Sequence, residues 1–258
     1  MKSIQQFFSV IILAGILSSC SFSEEIDLST EQKGQYKIDV DMSQAMEMMK
    51  SMGGSELKKD STLSEPKDSS FSLYSQIDSV REHFTDRELS YFYKGTGNIK
   101  MNEKENLMKI HLMYPITDLA DLKHFFETTQ LKDSLTKKVT DTTAVSSEGT
   151  EMSPMNQNNP ADFTKMLSPK SAYIITDSSI SREEMSKEGI DGQVGDMKGM
   201  EMFYGQMMIS TTIKLPRPAI LVQGENAKLL DDKKTVIISS SILELVSNKG
   251  GSKFYIKF

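Results

Sequence analysis

Gly34-Gln35-Tyr36-Lys37-Ile38-Asp39-Val40-Asp41-Met42 is the stretch whose reading decides the fold. Tyr36, Ile38, Val40 and Met42 alternate with Lys37, Asp39 and Asp41, the period-two pattern of a strand with one face in a core and the other in water. At Ser43, read as a helix cap, the period changes. Met42, Met46 and Met49 fall at i, i+4 and i+7 with Ala45, Met48 and Met52 beside them, and Gly53-Gly54 ends the run. A strand that runs into an amphipathic helix places the chain among folds that mix the two elements.

Working toward the C-terminus, the alternation of Phe71, Leu73, Ser75 and Ile77 predicts a second strand. Residues 96–101 and 107–114 alternate again and meet at Asn102-Glu103-Lys104-Glu105-Asn106, which predicts a β-hairpin. After Pro115, Thr117 reads as the N-cap of a helix whose apolar face is Leu119, Leu122, Phe125 and Phe126, with Lys137 and Lys138 suiting its last turn. Residues 139–162 hold no aromatic side chain and are too polar to repay their ordering entropy, so a disordered loop or linker is expected there.

Strand patterns resume at 172–175, 209–215, 219–222, 235–242 and 253–258, with Asp231-Asp232-Lys233-Lys234 as a turn. No internal repeat is present. The expectation is an α+β fold, a mainly antiparallel β-sheet packed by two or three amphipathic helices, with an all-β sandwich as the alternative. Its first half covers 34–138 and its β-rich second half 163–258, read as one domain.

Working toward the N-terminus, the chain opens on Met1-Lys2, runs through an apolar stretch from Phe7 to Leu17, and reaches Leu17-Ser18-Ser19-Cys20. A positive start, an apolar core of about ten residues and small residues before a cut describe a secretion signal, too short to span the roughly 30 Å of a bilayer interior. A cysteine directly after the cut makes the motif a lipobox. Residues 1–19 are thus expected to be removed and Cys20 to carry diacylglycerol on its thiol and a further acyl chain on its freed amine. Each buried methylene adds about 0.8 kcal/mol, so two or three chains anchor durably. The segment 20–33, beginning Cys20-Ser21-Phe22-Ser23-Glu24-Glu25-Ile26-Asp27, reads as a short acidic tether.

Cys20 is the sole cysteine, so no disulfide braces the exported domain and no thiol remains as a nucleophile. The formal net charge of −6 becomes about −7 once Lys2 leaves with the signal, which argues against a nucleic-acid partner. Methionine is the compositional anomaly, 18 residues where common usage would supply about a third of that. Met46, Met49 and Met52, and again Met197 and Met200, place thioethers on one helical face. That spacing suits Cu(I), which takes soft ligands, or a pliable groove for an acyl chain or a partner helix. It equally suits a core-facing helix, and with no histidine or cysteine in either cluster the core reading is preferred and no metal is assigned.

His83, His111 and His124 are scattered without His-x-x-x-His or HExxH spacing. Gly95-Thr96-Gly97 lacks the residues that complete a phosphate loop, and there is no Gly-x-Ser-x-Gly elbow. No catalytic residue and no cofactor is assigned. The reading is a non-enzymatic envelope protein that presents a binding or scaffolding surface to lipid or to another envelope protein, with a Met-based periplasmic copper protein and an enzyme without a motif as alternatives.

The Leu17-Ser18-Ser19-Cys20 box, the Tyr36-to-Ser43 opening and Lys214-Leu215-Pro216-Arg217-Pro218 together resemble envelope lipoproteins of Bacteroidota, of the flavobacterial kind. The resemblance implies an outer-membrane address, with the acidic residues after Cys20 serving surface export. It also implies O-glycosylation at Ser79, Ser134 and Thr142, each following an aspartate and preceding a methyl-bearing residue. The closing pattern from Asn226 to Ile238 resembles the envelope domain of mycobacterial lipoprotein M, which implies an α/β fold linked to lipid binding.

Overall fold

In a computed structural model, the structure describes residues 21–30, 33–44, 47, 66–76, 81–82, 84–127, 173–183, 208–241 and 253–258. Most of these are strand, joined by two helices, a mixture between α+β and mostly β. The strands are β1 Ser21–Asp27, β2 Gly34–Asp41, β3 Lys67–Ser72, β4 Thr96–Asn102, β5 Leu107–Ile116, β6 Tyr173–Thr176, β7 Ser179–Arg182, β8 Met208–Lys214, β9 Leu221–Gln223, β10 Ala227–Leu229, β11 Thr235–Ser241 and β12 Phe254–Lys257. Helix α1 is Asp86–Lys94 and helix α2 covers 119–127 of the described chain.

Eight strands form one sheet in the order β10-β11-β8-β1-β2-β5-β4-β3, and four form a second in the order β6-β7-β12-β9. Every pairing is antiparallel except β1 with β8, which runs parallel. The parallel pair needs a long crossover, and the chain supplies one, since β2 through β7 intervene between β1 and β8.

The alternation at 34–42 produces the expected strand. Tyr36 and Ile38 are buried while Lys37 and Asp39 point outward. Register carries the same parity across the sheet, so that Tyr36 sits opposite Ile26 and Tyr114, and Ile38 opposite Leu112. One face therefore collects Ile26, Tyr36, Ile38, Leu112, Tyr114, Ile213 and Val236 into a core. Over that face lie α1, α2 and the small sheet. Tyr36, wholly buried, touches the rings of Phe125 and Phe126 on α2 at 5.3 and 5.2 Å, and Phe126 stacks on Tyr173 of β6 at 4.3 Å.

The largest correction concerns the expected tether. Residues 21–27 are an interior strand of the large sheet, hydrogen-bonded to β2 on one side and β8 on the other. Phe22, Glu24 and Ile26 alternate with Ser23, Glu25 and Asp27, so the strand period was present, but Glu24 in an inward position disguised it. An unpaired buried carboxylate would forbid the strand, and a distant partner permits it.

Smaller corrections share a cause in local hydrogen bonding. The strand expected at 71–77 instead occupies 67–72, and 73–76 turn into a 3-10 helix whose Leu73 is buried under Gly95. Thr117 does not cap α2. Asp118 accepts the Asp121 N–H at 2.8 Å, while the Asp121 carboxylate turns back to Thr117 N–H at 3.0 Å and its hydroxyl at 3.1 Å. At the helix start beside 43, the accepting side chain is Asp41, which takes the Ser43 N–H at 3.0 Å, and the Ser43 hydroxyl accepts from Met108 N–H. Strand β5 continues through Pro115, tolerated because β4 begins only opposite Met113 and leaves Pro115 without a β4 neighbour.

Helix α1 and strands β7 and β10 had no counterpart in the sequence reading. The signal for α1 was present as Thr85-Asp86-Arg87-Glu88, a capping box in which the Glu88 carboxylate accepts Thr85 N–H at 2.6 Å. The expected loop at 139–162 and the expected signal at 1–19 lie outside the described residues.

Candidate functional site

Two polar arrangements stand out, one on each face of the large sheet. On the inner face, Glu24 is 3% exposed and accepts four hydrogen bonds. Tyr36 Oη donates to one carboxylate oxygen at 2.7 Å. Tyr173 Oη at 2.6 Å, Thr211 Oγ1 at 3.0 Å and Arg182 Nη1 at 3.3 Å donate to the other. Arg182 Nη1 also reaches Thr211 Oγ1 at 3.1 Å, and its guanidinium lies 5.1 Å from the centre of the Phe254 ring and 5.7 Å from that of Tyr173.

Electrostatics follow from that packing. Burial pushes the Tyr36 and Tyr173 hydroxyls well above the usual phenol range, and the adjacent Glu24 charge pushes them further. Burial opposes the Arg182 charge, yet Tyr173 and Glu24 outweigh it and the guanidinium pKa rises. A carboxylate surrounded by four donors, between two sheets and away from water, has no approach for a substrate. Its role is to lock the small sheet onto the large one.

The outer face of the large sheet carries a different pattern, two rows that cross four strands. In one row Asp41 of β2, Lys109 of β5, Lys100 of β4 and Asp68 of β3 stand side by side. Lys109 pairs with Asp41 at 2.9 Å and Lys100 with Asp68 at 3.4 Å, so each outer acid neutralises a lysine that faces another lysine. In the next row Asp39 meets His111 Nδ1 at 2.6 Å, and Asn98 donates to Asp68 at 2.9 Å and to Ser70 at 3.1 Å. All of these except Ser70 line an open groove of about 680 Å³ that also includes Ser21.

Ser21, the first described residue, begins β1 opposite Asp41 on one side and Met208 on the other. Cys20 is its covalent neighbour and lies outside the described residues, as do Met46, Met49, Met52, Met197, Met200, Ser79, Ser134 and Thr142. His83 also lies outside them, whereas His111 sits in the groove and His124 sits on α2 near Tyr91. Among the described residues no three histidines, cysteines or carboxylates group closely enough to hold a metal, and no helix is long and apolar enough to cross a membrane. The acidic residues after Cys20, expected as a tether, are each held: Glu24 by Arg182, Glu25 by Lys37 at 3.0 Å, and Asp27 by Lys214 at 3.2 Å.

Sequence reasoning did not find the Glu24–Arg182 lock or the two outer rows. The rows had a faint signal in the polar members of the alternating strands, but which polar residue faces which is a matter of register. Compared with protein-family models, curated proteins and solved structures, the chain matches none.

Proposed function

We propose that this chain is a lipid-anchored lipoprotein of a bacterial cell envelope, of the outer membrane in the manner of the Bacteroidota proteins it resembles, with a non-catalytic role in which the folded domain presents a binding or scaffolding surface. The observation that carries the reading is Leu17-Ser18-Ser19-Cys20 behind an 11-residue apolar run, Phe7 to Leu17, with the chain's single cysteine at the one position a lipid anchor requires. The fold supports it in one respect. A chain cut before Cys20 retains every strand of both sheets among the described residues.

The surface offered for binding is the outer face of the large sheet, whose charges are arranged in matched pairs over an open groove. The partner class is a lipid or another envelope protein.

Cells grown with a clickable palmitate analogue test the anchor. Wild type should carry the label and sediment with membranes, while Cys20→Ala should lose both. Equal sedimentation of the two would sink the reading.

A further inference from the structure

We infer that the domain stands on the bilayer in one orientation, with the Ser21 end of the eight-stranded sheet against the lipid headgroups. The inference rests on the anchor at Cys20 proposed above and concerns what that anchor does to the folded domain. A lipoprotein with a flexible tether lets its domain tumble. Here the tether has zero length, because Ser21 is already fixed in the middle of a sheet, paired to Asp41 of β2 and Met208 of β8.

Consecutive Cα atoms are about 3.8 Å apart, so an acylated Cys20 enters the bilayer within one residue of that sheet end. The strand axes extend away from this end, whichever way each chain segment runs along them. β1 spans about 20 Å over its seven residues, given roughly 3.3 Å of rise per residue. The far end holds Asp27, Lys214 and the Asp231-to-Lys234 turn that leads into β11.

Among the described residues, the near end is compatible with a headgroup layer. Met208 is 41% exposed there, an apolar side chain next to the anchor point. Lys100 and Lys109 lie at the same end and are paired with Asp68 and Asp41, and the β4–β5 turn there carries Glu103, Lys104 and Glu105, so the described charges of this end hold no excess of cations to draw anionic lipid. Orientation is set by the covalent link and not by electrostatic attraction.

The test uses the acylated full chain in phosphatidylcholine vesicles doped with a headgroup-nitroxide phospholipid. Acylation consumes the only native thiol, so a cysteine introduced at Met208→Cys or at Asp232→Cys takes a fluorophore alone. Mass of the N-terminal peptide verifies the acyl groups in each sample. Quenching is expected to be several-fold stronger at position 208 than at 232, and unchanged by salt or by added anionic lipid. A ten-residue Gly/Ser spacer between Cys20 and Ser21, with a root-mean-square reach of about 17 Å, should bring the two positions toward equal quenching. Equal quenching in the unspaced, acylated chain would overturn the orientation and leave the anchor standing. An unacylated Cys20 would overturn the anchor and the orientation with it.

Discussion

Glu24 and Arg182 are 158 residues apart in the chain and 3.3 Å apart in the interior, and each is the reason the other is tolerated there. Glu24 points inward from the middle of the large sheet, and Arg182 ends β7 of the small one. Both are less than a tenth exposed. The pair joins the first described strand to the second half of the chain.

Removing one partner should therefore be worse than removing both. Arg182→Met leaves Glu24 buried with its charge and is expected to cost about 3–5 kcal/mol in urea unfolding. The double variant Glu24→Leu with Arg182→Met should recover most of that loss. A single variant within 1 kcal/mol of wild type, on the order of an exposed pair, would show that water reaches the site.

Tyr173→Phe removes a donor at 2.6 Å from a charged acceptor, and about 1–3 kcal/mol of stability should go with it. The same network predicts alkaline behaviour. Tyr36 and Tyr173 have pKa values raised well above the ordinary 10.0 by burial and by Glu24. Below that value both folded and unfolded chains keep the phenol protons and the two tyrosines add no pH dependence. Above it the unfolded chain ionises first, so stability falls as pH rises. Ultraviolet difference absorbance should show these phenols titrating together with unfolding and not before it.

Acid should weaken the fold through Asp27 and Asp41. Partial burial works to raise each pKa, but hydrogen bonds from Ser29 and Lys214 to Asp27, and from Ser43 and Lys109 to Asp41, outweigh it and hold both below the ordinary 3.8. A depressed carboxylate stabilises the folded state above its ordinary value, and the contribution is lost as pH falls through the folded one. Asp27→Asn and Asp41→Asn should each make the acid limb of a stability–pH curve shallower. An unchanged slope in both would remove these residues from the account.

Gly97 lies directly across from Phe71 in the β3–β4 pair, and the aromatic ring covers the space a side chain would need. Gly97→Ala should destabilise by about 1–3 kcal/mol, because a methyl there must displace the ring. Pairing it with Phe71→Leu should relieve part of the cost. A double-mutant cycle in chemical denaturation measures the coupling.

Much of the sheet was legible from residue to residue. The strands at 34–41, 96–102, 107–116, 208–214 and 235–241 announced themselves by alternation, because each buries one face and wets the other. Short strands such as β7 and β10 hold only four and three residues, too few for a period to declare itself. Helix α1 carries a capping box in its local sequence, but with only Leu89, Tyr91 and Phe92 buried along nine residues its apolar period is too short to mark it as a helix.

The amino-acid order by itself determined the β-rich composition of the fold, the main hairpin, the apolar face of α2 and the lipobox expectation at Cys20, for each rests on residues within a few turns or a few pleats of one another. Only the tertiary structure decided that 21–27 is an interior strand and not a tether, that Glu24 has a partner, and that the charges of the outer face fall into two rows. Register and long-range pairing decide those matters. A carboxylate in a strand reads as solvent-facing until an arginine 158 residues later is seen to reach it.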